Sequence, residues 1–288
     1  MATVTAHPTP AMPEQRWMYL LGYLALVIVA EVMIAIPGAS SPFDRPFQPI
    51  GLSLHILLVF SLLFLSVILQ SKDAVLAPLL VAASLASLVR VFSLAVPRYP
   101  FFQTPDMSPL RTIPWLALVS IPLLVSIVAV AYVQGLHPLD LGLLITRWKD
   151  GLLQLAIALT GIPLGLVEFA ILRPQPWIEA LALAPLLVAG LVIFLATGLS
   201  EELIFRGILL RRAVDALGQR RGLVYVTAIF ASLHIFFLSG VDLVFVFAVG
   251  LFYGLVVLKT KNLWGAILSH SLGNVILYLV APFLFGHA

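Results

Sequence analysis

Apolar residues run along this chain in blocks of nearly constant length, separated by short polar breaks. A bilayer core of about 30 Å is crossed by about 20 residues of helix. Nine stretches meet that length: Trp17–Ile36, Leu52–Gln70, Ala74–Val96, Ile113–Val133, Gly151–Leu172, Ala180–Leu210, Leu223–Ser239, Val241–Leu258 and Leu263–Phe285. The breaks carry Pro, Gly and charge, as at Pro37-Gly38, Ser71-Lys72-Asp73, Pro97 to Pro109 and Arg173-Pro174-Gln175-Pro176, which is how helices are punctuated. The pattern predicts an all-α, polytopic transmembrane bundle of about nine spans. Eight remain an option, because the spans meeting at Ser239-Gly240 are short enough to form a re-entrant pair. Residues 1–150 read as helices without a motif, and residues 151–288 as the part that carries the chemistry. Residues 1–15 are polar and hold no Lys or Arg, so they do not resemble a signal-peptide n-region, and the first span is expected to be retained.

Composition sharpens this picture. Of 288 residues, 61% are hydrophobic and 10% are charged, against roughly 25% charged in a soluble domain; the mean hydropathy is +1.11. A net charge of +3 is too small for a nucleic-acid footprint, so the expected partners are the lipid bilayer and a membrane-associated protein or peptide, with no nucleic acid. The absence of cysteine excludes disulfides, thiolate catalysis and Cys-ligated zinc. If nine spans alternate, one side receives Arg16, Lys72, Arg147, Lys149, Arg211, Arg212, Arg220, Arg221, Lys259 and Lys261. The other receives Arg45, Arg98, Arg111 and Arg173. The positive-inside rule then places the N-terminus in the cytoplasm and the C-terminus outside. The chain is expected in the cell membrane of a bacterium or the endoplasmic reticulum membrane of a eukaryote.

Ionisable residues within spans are functional candidates because burying them is costly. Glu202 and Arg206 stand at i, i+4 in Ser200-Glu201-Glu202-Leu203-Ile204-Phe205-Arg206 and can pair on one helix face. Glu201 points elsewhere, which makes it the better proton acceptor. Phe230 precedes His234 by one turn, and His270 precedes Asn274 by one turn. At about 1.5 Å per residue, Glu201, His270 and His234 lie roughly 15, 14 and 20 Å from basic markers on the cytoplasmic side. They are therefore expected to meet within reach of cytosolic water. Glu31 and Glu168 read as interfacial, and so does His55.

A carboxylate, two histidines and an amide suit water activation and oxyanion stabilisation. The same donors leave a metal open: Glu201, His234 and His270 could hold a divalent ion such as zinc with one free position, although no His-Glu-x-x-His helix is present. Two further classes fit the residues less well. One is a non-catalytic membrane scaffold; the other is a transporter using the carboxylates as proton relays.

Taken in order, Glu201-Glu202-x-x-x-Arg206, Phe230-x-x-x-His234 and His270-x-x-x-Asn274, with Phe205-Arg206-Gly207 and Gly250-x-x-x-Gly254 between them, resemble the motifs of the CPBP family, the Abi or type II CAAX prenyl endopeptidases. The likeness covers about residues 180–285. It implies an intramembrane endopeptidase core with Glu201 as the water-activating base, assisted by His234. His270 and Asn274 would orient water or hold the oxyanion, and Glu202 and Arg206 would be a supporting pair. It also implies a bacteriocin-immunity role as the non-catalytic alternative on the same fold.

Overall fold

The computed structural model describes residues 13–38, 45–95, 112–145 and 147–286; Arg98 and Arg111, used in the charge count, lie outside the described residues. Within them the chain is helical throughout. The elements are α1 (Pro13–Ala35), α2 (Gln48–Leu69), α3 (Leu76–Ala95), α4 (Thr112–Val133), α5 (Trp148–Ala158), α6 (Gly161–Leu172), α7 (Leu183–Ile193), α8 (Ser200–Glu202), α9 (Leu210–Leu217), α10 (Gln219–Ser232), α11 (Gly240–Thr260), α12 (Trp264–Val275) and α13 (Ala281–Phe285). Wider π-helical turns, Phe194–Leu199 and Leu203–Leu209, join α7, α8 and α9 into one rod; a third, Ile276–Val280, joins α12 to α13.

Nine helical stretches among the described residues are long and apolar enough to cross a membrane. Their outward faces stay apolar, as with Phe60, Phe64, Val125 and Val128, because lipid rather than water surrounds them. The stretch at Ser239-Gly240 is no re-entrant pair by length: residues 219–237 and 240–260 each qualify as a span. The sixth span runs on to Leu217, seven residues beyond its expected end. The largest core joins early and late helices, with Leu79, Leu85, Phe205 and Ile229 all fully buried or nearly so.

The two ends of the bundle are tied separately. At the end holding the many basic residues, Arg16 grips Asp73 through two bonds of 2.6 and 3.0 Å. Arg212 donates to Gln134 (2.7 Å) and Arg211 to Asp140 (3.0 Å), while the Trp264 indole donates to the Leu143 carbonyl at 2.9 Å. Burial works against ionisation of Asp73, but hydrogen bonds from Arg16 and from the Leu76 and Val75 amides outweigh it and hold the carboxyl below its ordinary range. At the opposite end, Trp177 stacks on Tyr278 at 3.6 Å, and Arg45 covers Phe236 at 5.3 Å. Each tie joins residues that alternation assigned to one side.

Glycine decides how close α12 can approach its neighbours. A Cβ at Gly161 would lie 3.0 Å from the Gly273 nitrogen, and one at Gly165 would lie 2.9 Å from the Ile276 Cβ. On the other flank, a Cβ at Gly198 would run into the Ser271 hydroxyl and lie 2.9 Å from the Ile267 carbonyl oxygen. Helix α12, which carries His270 and Asn274, is thus gripped by bare backbone from both sides, as small-residue packing allows in membranes.

Candidate active site

The rod formed by α7, α8 and α9 brings the glutamate pair into the bundle. It does so between two π-helical turns, geometry that recurs at functional sites. Glu202 is fully buried; Glu201 retains 22% side-chain exposure. One Glu202 oxygen, Oε1, takes both of the carboxylate's bonds: Arg206 Nη1 donates at 2.8 Å and His270 Nδ1 at 2.9 Å. The other, Oε2, is buried without a partner among the described residues. Glu202 is thus clamped, whereas Glu201 accepts no hydrogen bond among the described residues.

His270 sits between the two carboxylates, its Nε2 3.9 Å from Glu201 Oε2. His234 closes the α10 end, and its Nδ1 lies 3.1 Å from the Phe230 carbonyl oxygen. A carbonyl only accepts, so Nδ1 carries the proton and Nε2 presents a lone pair. The Phe230 ring stands 5.1 Å from the His234 ring and edge-on to His270 at 6.2 Å, with the Arg206 guanidinium 4.3 Å above it. Phe230 therefore separates the charged clamp from the open side. Asn274 Nδ2 donates to Thr197 Oγ1 at 3.0 Å, leaving its second N–H for another acceptor.

Glu201, Phe230, His234, His270 and Asn274 line one cavity of about 190 Å³. Glu202 and Arg206 stand behind its wall. Trp177 and Phe237, at the end away from the basic loops, also line it, whereas Asp140, Arg211 and Lys261 line a separate one at the basic end. His234 lies three residues from the far end of its span, whereas His270 lies six residues from the basic end of its own.

Three residues read as interfacial turn out to be enclosed by other helices or to face the cavity. Glu31 and His55 are fully buried, and His55 Nε2 lies 3.1 Å from Glu31 Oε1. Arg90 holds Glu31 through two bonds of 2.7 and 2.9 Å and also donates to the Leu233 carbonyl, beside His234. Glu168, four residues before the end of α6, lines the cavity. The Glu31 group is missed by local spacing because its members come from different helices; a charge within an apolar span was the available signal.

Among the described residues no group of three or more His, Asp or Glu side chains is arranged to hold an ion; His270 Nδ1 is held by Glu202, which leaves its Nε2 facing Glu201.

Residues 182–276 match the family model described as type II CAAX prenyl endopeptidase Rce1-like. This segment is similar to the Rce1-like family. The matched Rce1-like segment contains every residue of the clamp and of the histidine pair, while Glu31, His55, Arg90 and Glu168 lie before it. No curated protein and no solved structure matches the chain. That similarity and the nine apolar helices among the described residues support an integral membrane protein.

Proposed function

We propose that the chain is an intramembrane endopeptidase that hydrolyses a peptide bond of a membrane-associated protein or peptide. The observation that carries this reading is the shared cavity: an unclamped carboxylate, Glu201, faces the same small space as the His234 and His270 rings and the Asn274 amide. Glu201 removes a proton from a water molecule, and the hydroxyl oxygen bonds to the scissile carbonyl carbon. His234 Nε2 orients that water by accepting its second proton in a hydrogen bond. The developing oxyanion takes a donor from the free Asn274 N–H and, with His270 protonated on both ring nitrogens, a second from its Nε2–H, a contribution of about 3 kcal/mol per donor at comparable sites. As the C–N bond breaks, Glu201 returns its proton to the leaving nitrogen, giving a carboxylic acid and an amine. Glu202 holds the His270 ring, and Arg206 neutralises Glu202.

The test is cleavage of a fluorogenic transmembrane peptide by purified protein in liposomes. Glu201→Gln and His234→Ala should each abolish turnover while leaving the melting temperature within a few degrees. Unchanged cleavage by Glu201→Gln would overturn the reading of this site, and no cleavage by the unsubstituted protein would favour a scaffold on the same fold. Activity is expected to survive complete demetallation; loss on chelation and recovery with zinc would return the metal alternative.

A further inference from the structure

Helix α11 carries a buried tyrosine that the hydrolytic scheme does not use. Tyr253 lines the same cavity as Glu201 and His270. It shares a helix face with Gly250 and Gly254. A Cβ at Gly250 would lie 2.9 Å from Thr227 Cγ2 and 3.4 Å from both Arg206 Nη2 and a Phe230 ring carbon, and one at Gly254 would run into the Leu223 side chain. The bare glycines let α11 lie close against α10 and the clamp, and Tyr253 comes in with them. Its ring stands 6.1 Å from the His270 ring at an interplanar angle of 25°, with the Arg206 guanidinium 5.7 Å away.

The protons around Tyr253 can be assigned one by one. Thr160, at the break between α5 and α6, donates to the Ile157 carbonyl at 2.6 Å. Its single proton is spent there, so the Ser269 hydroxyl, 2.9 Å away, donates to Thr160 and does not accept from it. The Ser269 proton is then spent as well. The Tyr253 hydroxyl, 3.0 Å from Ser269 Oγ, is therefore the donor of the third bond. The chain runs one way, from Tyr253 through Ser269 to Thr160, and joins three spans. With its phenol proton committed to the wall, Tyr253 is neither the acid for a leaving group nor a donor to an oxyanion.

A tyrosine–serine bond between helices is ordinary membrane glue. This one differs in its place, because Ser269 immediately precedes His270. The His270 ring is tied at one point, Nδ1 to Glu202, and a single bond leaves an imidazole free to swivel about that axis. Two rings close off the swivel. Phe230 meets His270 edge-on at 90°, and Tyr253 lies nearly parallel to it, both favoured arrangements between rings. Nε2 then stays directed at Glu201, 3.9 Å away. We propose that Tyr253 is a positioning residue: its ring fixes the plane of His270, and the hydroxyl chain through Ser269 and Thr160 fixes that ring. The proposal rests on the peptidase reading for what His270 does, whereas the orientation of the ring is read without cleavage.

The cleavage-free measurement is nitrogen NMR of the full chain in detergent, isotopically labelled at histidine, with the His270 signals identified by their loss in His270→Ala. The unsubstituted protein should give one pair of ring signals for His270. Tyr253→Leu removes the ring, and the pair should split or broaden as the imidazole takes several orientations. Tyr253→Phe keeps the ring without its anchor and should show a smaller change of the same kind. In liposomes, kcat for the fluorogenic peptide should fall about tenfold in Tyr253→Phe and about a hundredfold in Tyr253→Leu, with KM unchanged. Ser269→Ala removes the acceptor and should match Tyr253→Phe, and the two together should be no worse than either alone. A single, unmoved pair of His270 signals in Tyr253→Leu would overturn the proposal. So would a lowered melting temperature with kcat intact, which marks glue, or a loss of turnover in Tyr253→Phe as complete as in Glu201→Gln, which marks a proton donor. Should Tyr253→Leu fail to fold, Tyr253→Phe decides by the same readouts. Altered His270 signals in a chain whose unsubstituted form cleaves nothing would keep the hold of Tyr253 on His270 and remove the peptidase.

Discussion

The same three side-chain types meet twice in this molecule. Glu31, Arg90 and His55 are gathered from α1, α3 and α2; Glu202 and Arg206 come from one helical rod and His270 from α12. In the first group every carboxylate oxygen is used: Oε1 accepts from Arg90 and His55, Oε2 from Arg90 again. In the second, Oε1 accepts both bonds and Oε2 accepts none, and a second glutamate stands beside the histidine. The first group leaves His55 Nδ1 buried without a partner among the described residues and holds three helices together. The second stands next to a cavity. Composition does not separate the two clusters; the second glutamate that lines the cavity beside the histidine does. The first group also reaches the second, since Arg90 lies on the cavity wall and bonds the carbonyl just before His234.

The sharpest way to break this comparison is through Glu201. Glu201→Gln should lower turnover at least about a hundredfold with almost no change in thermal unfolding. A protein that instead loses stability would place Glu201 with the structural group. Arg90→Ala should show the reverse emphasis. Removing one partner of a buried pair strands the other, and a loss of about 3 kcal/mol or more is expected in denaturant unfolding. An unchanged midpoint would mean that the first group holds nothing. Gly165→Ala tests the packing that delivers His270. The added methyl meets the α12 backbone, and a loss of about 1–3 kcal/mol is expected, accompanied by reduced turnover because His270 and Asn274 shift with the helix. The smallest effect lies outside the spans, at Asp73. Its carboxyl is held below the ordinary range, so the Arg16–Asp73 tie contributes stability above that range and loses it as pH falls through the lowered value. Asp73→Asn should flatten the acid limb of the melting-temperature profile; an unchanged profile would remove Asp73 from the account.

Much of this architecture is legible in the order of residues along the chain. Span length sets the helix count, and the split of basic residues between loops agrees with the separate ties at the two ends. The Glu202–Arg206 pair is readable because one helical turn brings i and i+4 together, and the π-helical turn that follows does not disturb it. The cavity residues are readable as a set because the Rce1-like motifs name them. Glu31 and Arg90 are not readable as partners. They stand 59 positions apart, and only the docking of α1 against α3 joins them. Nor does local pattern reveal that Gly161, Gly165 and Gly198 grip one helix, because a small residue in an apolar span has no intrinsic direction.

The grip on α12 has a mechanical consequence. A helix held on two flanks without side-chain cushioning has no lubricant, so α6, α12 and the rod carrying Glu201 behave as one stiff frame. The opposite wall is built differently: a short turn at 235–237 links α10 to α11, and Phe237 stands 42% exposed.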